Sequence, residues 1–148
     1  MNRNWFLAKV RYFKENDEGL LKSITEQYLV DATSHSEGEE KIYDKVGDMV
    51  RGDFQLKRLT PLDIADVFEY EDSDLWHSVK LNYYIADESG KEKKIVQTML
   101  VTAKDCKEAY DRIQESMISM LASFRITDIK ESAILEVYPY ERKEVENA

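Results

Sequence analysis

Cysteine occurs once in these 148 residues, at Cys106, so no disulfide can close within the chain and no zinc site can be built from its cysteines. With two histidines, imidazole chemistry has few places to sit, and with five glycines and two prolines the chain is neither collagen-like nor low in complexity. No glycine pattern leads from a strand into a helix, which excludes a Gly-rich phosphate loop. Long apolar runs are missing too. No stretch approaches the ~20 residues of a membrane span, and no leader-type apolar core follows the first residues. Cations are outnumbered, 21 Lys and Arg against 30 Asp and Glu, for a formal charge of -9. Attraction to a polyanion is therefore not supplied by the chain as a whole and would need a local basic patch. These absences predict a soluble protein of the reducing cytoplasm, with no membrane partner.

What is present is core and sheet material. Hydrophobic residues make up 43% of the chain and tyrosine occurs nine times, a composition that favours strands and argues against global disorder. The chain also repeats itself. Shifting it by 71 positions lays Trp5 on Trp76, Lys9 on Lys80, Tyr12 on Tyr83, Gly19 on Gly90 and Lys22 on Lys93. Leu29-Val30 falls on Leu100-Val101, Ala32 on Ala103, Glu37 on Glu108 and Ile42 on Ile113. After a one-residue deletion, Phe54 meets Phe124, Ile64 meets Ile134, Val67 meets Val137 and Tyr70 meets Tyr140. A constant offset over most of both halves is the mark of a tandem duplication.

Each half carries the same local signals. Phe6, Ala8, Val10 and Tyr12 alternate with Trp5, Leu7, Lys9 and Arg11, as a strand with two different faces requires. His77, Val79, Leu81 and Tyr83 alternate in the same way with Trp76, Ser78, Lys80 and Asn82. Turn residues follow at Glu15–Gly19 and Asp87–Gly90, then second strands over roughly Leu21–Val30 and Lys93–Thr102. Ser34-His35-Ser36-Glu37 and Asp105-Cys106-Lys107-Glu108 have capping-box spacing, which predicts helix starts. The second helix carries an apolar stripe of Cys106, Ala109, Tyr110, Ile113, Met117, Met120 and Leu121; the first carries Ile42, Val46 and Met49. Two more strands close each half, Phe54–Arg58 with Ile64–Tyr70 and Phe124–Ile129 with Ala133–Tyr138.

The expected fold is α+β: a tandem duplication of a ββαββ unit, with antiparallel sheets that each pack one helix. The first repeat spans 1–70, an acidic linker 71–75, the second repeat 76–140, and a charged tail that frays 141–148. Units of this size are near the lower limit for independent stability, so the two repeats are expected to share one compact body about a pseudo-two-fold axis.

Several blocks together resemble a known family. They are Asn4-Trp5-Phe6 with Lys9, Val10, Arg11 and Tyr12; Thr25-Glu26-Gln27-Tyr28-Leu29-Val30-Asp31-Ala32; Gly90-Lys91-Glu92-Lys93-Lys94; and Val137-Tyr138-Pro139-Tyr140. The chain is similar from Asn4 to Tyr140 to the domain-of-unknown-function 4494 family. The resemblance implies a cytoplasmic bacterial or phage-encoded protein and brings no activity, so no site residue is carried over from it.

For chemistry, the residues offer little. His35 reads as a solvated residue of a helix start, His77 has the parity of a core-facing strand position, and Cys106 lies on an apolar stripe as an inert thiol. None has a counterpart in the other repeat, and no catalytic residue is assigned. The carboxylates of the first helix (Glu37, Glu39, Glu40, Asp44 and Asp48) and of the junction (Glu69, Glu71, Asp72 and Asp74) read as solvated acidic faces. They form no calcium-loop pattern, and neither a metal nor a cofactor is expected.

The Trp-Lys pair stands above this background because it recurs. Trp5 and Lys9 share a strand face about 13 Å apart, with Arg11 extending the row, and Trp76 and Lys80 repeat the arrangement. Lys22 and Lys93 are expected beside these rows. An aromatic surface with a cation suits a base and a phosphate. The plainer reading is packing, with the indoles covering the sheet and the lysines reaching outward. From Trp5, Lys9, Arg11, Trp76 and Lys80 the expected function is a non-catalytic binding module for a nucleotide-like ligand, either a host nucleotide signal or a single-stranded nucleic acid. The alternative is a protein–protein adaptor or homo-oligomeric component, dimeric or larger, with the aromatic rows as its interface.

Overall fold

The computed structural model describes residues 4–50, 52–120 and 123–140. In chain order the elements are β1 (Asn4–Glu15), β2 (Leu21–Ala32), α1 (His35–Gly47), β3 (Phe54–Leu62) and β4 (Asp66–Phe68). The second series is β5 (Trp76–Ala86), β6 (Glu92–Thr102), α2 (Cys106–Ile118), β7 (Arg125–Glu131) and β8 (Ile134–Tyr138). The fold is α+β, two four-stranded sheets with one helix packed on each, and the ββαββ order recurs as the sequence predicts.

The strands run β3-β1-β2-β8 in one sheet and β4-β6-β5-β7 in the other. The outer strand beside β2 thus comes from the second repeat, and the one beside β6 from the first. Each sheet receives its fourth strand by reciprocal exchange, and that strand runs parallel to its neighbour, β8 to β2 and β4 to β6. The other pairs are antiparallel, so the sheets are mixed where all-antiparallel sheets are expected. Alternation reports which face a residue takes, but not which neighbour a strand chooses. The chain divides into unit 1, Met1–Leu62 with Ile134–Ala148, and unit 2, Asp63–Ala133. These are not the 1–70 and 76–140 of the sequence repeats. The segment 71–75 lies within unit 2, where the Leu75 carbonyl accepts from the Ala103 amide at 2.9 Å.

The duplication is visible in hydrogen-bond register. Trp5 pairs with Asp31 in unit 1 and Trp76 with Thr102 in unit 2, the same pairing moved by 71 residues. β1 slips against β3 between Lys9 and Val10, and β5 slips against β7 at the matching step between Lys80 and Leu81. The two hairpin turns also agree. Asn16 Oδ1 accepts from the amides of Glu18 and Leu20, and Asp87 Oδ1 accepts from those of Ser89 and Lys91. Gly19 and Gly90 take φ +79 and +83 there, a conformation that costs other residues strain.

Both helices start as the capping signals predict. Ser34 Oγ accepts from the Glu37 amide at 3.1 Å, and Asp105 Oδ1 from the Glu108 amide at 2.9 Å. Each helix buries one stripe on its own sheet. In unit 1, Ile42 and Val46 join Phe6, Ala8, Val10, Tyr28, Val30, Ala32 and Leu59. In unit 2, Ala109, Ile113 and Met117 join Val79, Leu81, Met99, Val101 and Ala103. Burying a side chain such as Ile42 or Ile113 contributes about 1.5–3 kcal/mol. The stripe of α2 is narrower than its sequence suggests: Cys106 is exposed, as are Tyr110 and Met120. Met49, beyond α1, is exposed as well. These positions lie on the rim of the helical stripe or past the last helical turn, where the sheet no longer covers them. Leu121 and the tail 141–148 lie outside the described residues.

Candidate basic face of the first unit

The sheet face that carries the helix is occupied by core, so the other face of each sheet is where the predicted rows lie. In β1 that outer face presents Trp5, Leu7, Lys9, Arg11 and Phe13, and in β5 it presents Trp76, Ser78, Lys80, Asn82 and Tyr84. Their environments differ. Trp76 is 2% exposed, which leaves no free ring face, while Trp5 is half-buried. The aromatics open to solvent on these faces are Phe13 and Tyr84, again 71 positions apart, at 58% and 61% exposure. Arg11 lies over the Phe13 ring at 5.4 Å and donates from Nε to Ser23 Oγ at 2.8 Å. Lys9 is half-buried and Lys80 exposed. Lys22 and Lys93 pair with Lys14 and Ile85, on the opposite side of the pleat from the tryptophan rows.

The bulge in β3 adds what alternation alone does not place. Leu56 and Leu59 both pack toward the helix-side core, so the two residues between them share the outer face. These are Lys57 and Arg58. Arg58 stands directly across from Lys9, and Lys57 Nζ reaches Gln55 Oε1 at 3.4 Å beside Arg11. Lys9, Arg11, Lys57 and Arg58 thus share one face of three adjacent residue rows on two strands. Among the described residues none of the four makes an ion pair. The carboxylates of that face, Glu15 and Asp31, stand at opposite ends of the row. In unit 2 the same four positions hold Lys80, Asn82, Thr127 and Asp128, with Asp128 directly across from Lys80. The outer face of unit 2 has its own cations, Arg125 across from Asn82 and Lys130 across from Ser78, but Asp128 stands between them. The signal that could have revealed the patch is the run Leu56-Lys57-Arg58-Leu59, two charged residues between two apolar ones where a strand should alternate.

The two helix-side cores differ as well. In unit 1, Tyr12 donates to Glu26 Oε1 at 2.7 Å and buried Tyr28 to Glu26 Oε2 at 2.5 Å. Tyr138 of β8 stacks on Tyr28 at 5.9 Å and points its hydroxyl at Met49 Sδ, 3.1 Å away. The hydrogen bond to Glu26 pushes the Tyr12 phenol up to about 12. Burial pushes Tyr138 up to about 12, and burial together with Glu26 raises Tyr28 further. Unit 2 has Tyr83, Gln97, Met99 and Phe68 at the matching positions.

A second duplicated group fastens the exchanged strands. Arg112 on α2 donates to the Thr102 carbonyl at 2.6 Å and to both Asp72 oxygens at 2.8 and 2.7 Å, and lies over the Tyr70 ring at 4.1 Å. Its counterpart Lys41 on α1 donates to the Asp31 carbonyl at 2.8 Å and lies over the Tyr140 ring at 4.6 Å. Each cation also pairs with a carboxylate one turn earlier, Glu108 at 3.1 Å and Glu37 at 3.3 Å.

The residues weighed for catalysis stay apart. His77 is buried with Nδ1 3.1 Å from the Leu75 carbonyl oxygen, Cys106 is exposed, and His35 meets the Phe6 ring edge-on. Among the described residues, no cluster of three His, Cys, Asp or Glu side chains could hold a metal ion. No described helix is long and apolar enough to cross a membrane.

A family model described as a domain of unknown function (DUF4494) matches residues 4–140, which spans both units. The chain belongs to the DUF4494 family. The family model describes no activity, so the DUF4494 chain's chemistry rests on its own residues. No curated protein and no solved structure matches it.

Proposed function

We propose that this DUF4494 protein is a non-catalytic cytoplasmic binding module that holds an anionic, nucleotide-like ligand on the outer face of its sheet. The observation that carries the reading is the cluster of Lys9, Arg11, Lys57 and Arg58 beside exposed Phe13 and half-buried Trp5. Like charges directly across a strand pair destabilise the pair unless something offsets them. Lys9 opposite Arg58 is such a pair, in a chain of net charge -9. An anion between them would supply the offset, and an aromatic ring at the end of the row would take a base. Of the residues predicted from sequence, Lys9, Arg11 and Trp5 fit this role in unit 1. Lys80 has a carboxylate opposite it, and Trp76 acts as packing.

The test is titration of the full chain with single-stranded DNA, RNA and cyclic nucleotides, followed by fluorescence of the tryptophans. Binding that weakens as salt rises and is lost in Lys9→Ala, Arg58→Ala supports the reading. Absence of binding to every member of the set removes it.

One observation favours a second reading, a self-association or adaptor surface. Phe13, Leu21, Tyr84 and Val96 all lie on the outer faces at 57–72% exposure, more apolar surface than a solvated sheet needs. In that case Phe13→Ala with Tyr84→Ala lowers the mass in solution and leaves any anion binding intact.

A further inference from the structure

Building on the proposed anion site, we infer that its ligand is a single strand of nucleic acid and that each chain takes one, on unit 1. Three observations lead there. The cations are spread along the sheet: Lys9 and Arg11 lie two residues apart on β1, about 7 Å, while Lys57 and Arg58 lie one strand over, about 5 Å away. Such a row meets successive phosphates of one backbone, where a mononucleotide brings its phosphates to a single point. The row also reaches solvent along one edge of the sheet, with Lys57, Arg58 and Phe13 exposed and Lys9 and Arg11 half-buried. Small ligands are usually held in concave sites that bury most of their surface, whereas single strands are tracked by basic surfaces with aromatic platforms. Phe13, with Arg11 over its ring, is such a platform at the end of the row.

The third observation is the sister unit, which keeps the backbone of the site but sets a carboxylate, Asp128, between the cations Arg125 and Lys130 of the same face. The bulge falls at the same step, and Tyr84 occupies the place of Phe13. Yet Thr127 and Asp128 stand where Lys57 and Arg58 do, and Asn82 stands where Arg11 does. The Asp128 carboxylate repels a phosphate at the centre of this row, where Lys80 faces it, and so interrupts the path between Arg125 and Lys130. The same bulge with Thr127 and Asp128 in place of two cations makes unit 2 an internal control for the bulge pair.

The experiment is titration of the full chain with an oligothymidylate of roughly ten nucleotides, with thymidine monophosphate and a cyclic nucleotide in parallel, over a salt series. Four phosphate contacts on a single strand give a slope of log affinity against log salt of about -3, or roughly fiftyfold between 50 and 200 mM. One strand binds per chain, and the mononucleotides bind much more weakly. Transplanting the unit 2 pair, Lys57→Thr with Arg58→Asp, flattens the slope to about half or less and removes most of the affinity. The reverse transplant, Thr127→Lys with Asp128→Arg, adds a second strand per chain. Mononucleotides that bind as tightly as the oligomer overturn the inference and leave the proposed function standing. Loss of all binding to strand and mononucleotides alike overturns both. Strand binding unmoved by the Lys57 and Arg58 changes, or a reverse transplant without a second strand, overturns the assignment to the bulge.

Discussion

Unit 1 and unit 2 have the same strand pairings, the same bulge step and the same helix bounds once shifted, yet their side chains follow different rules. Unit 1 places three tyrosines and a glutamate at one end of its core and four cations on its outer face. Unit 2 has Gln97, Met99 and Phe68 in the first place, and in the second a carboxylate, Asp128, set among Lys80, Arg125 and Lys130. The backbone plan therefore requires neither the tyrosine–glutamate group nor an unbroken row of cations. Where one copy manages without a feature, that feature in the other is explained by something besides folding.

The comparison can be broken most heavily at the helix cations. Arg112 is 12% exposed and holds a carbonyl, Asp72 and Glu108 together, so Arg112→Ala takes a donor from the carbonyl of buried Thr102 and breaks two ion pairs. It should cost about 2–4 kcal/mol, against about 1 kcal/mol for Lys41→Ala, whose side chain makes fewer bonds. Denaturant midpoints of the two variants measure the difference; equal losses would show that the extra bonds of Arg112 contribute nothing. Next comes the tyrosine cluster. Glu26→Leu strips the acceptor from the buried Tyr28 hydroxyl and should cost about 1–3 kcal/mol, while Gln97→Leu at the matching position of unit 2 should stay within about 0.5 kcal/mol.

The same cluster sets a pH limit. A phenol with a raised folded pKa holds its proton more tightly when folded. Its stabilisation is complete below the unfolded value of about 10 and is lost as pH rises through the folded value. For Tyr12 and Tyr138 that window runs from about 10 to about 12. Amide exchange or unfolding followed from pH 9 upward should show unit 1 loosening in this range, and Tyr138→Phe with Tyr12→Phe should blunt the loss. The smallest effect is a gain. Lys57→Thr with Arg58→Asp relieves the like-charge contact with Lys9 and should raise stability by about 0.5 kcal/mol, seen as a small upward shift in melting temperature.

Much of each unit could be read in the sequence because it rests on local or periodic signals. The Phe6-Ala8-Val10 alternation, the Ser34 and Asp105 caps and the Gly19 and Gly90 turns declare themselves within a few residues. The partner of a strand is a long-range choice, and nothing near Asp66–Phe68 or Ile134–Tyr138 announces that these strands leave their own repeat. The basic face of unit 1 was half legible for the same kind of reason. Lys9 and Arg11 stand on a regular strand, whereas Lys57 and Arg58 reach the same face only because a bulge interrupts the alternation. Cys106 misled because helical spacing places a residue on a stripe without saying where the sheet stops. Trp76 and Trp5 look equivalent in sequence, and only burial separates the covered indole from the partly open one.

The exchange of outer strands has a consequence for the order of events on the ribosome. The first unit emerges early but lacks an edge strand until Ile134–Tyr138 is synthesised, whereas the second holds all of its strands by Glu131. The half that is made first is thus completed last, and its β2 edge stays open to other chains throughout that interval. A chain released just short of Ile134 would carry every strand of the second unit and an unsealed first one.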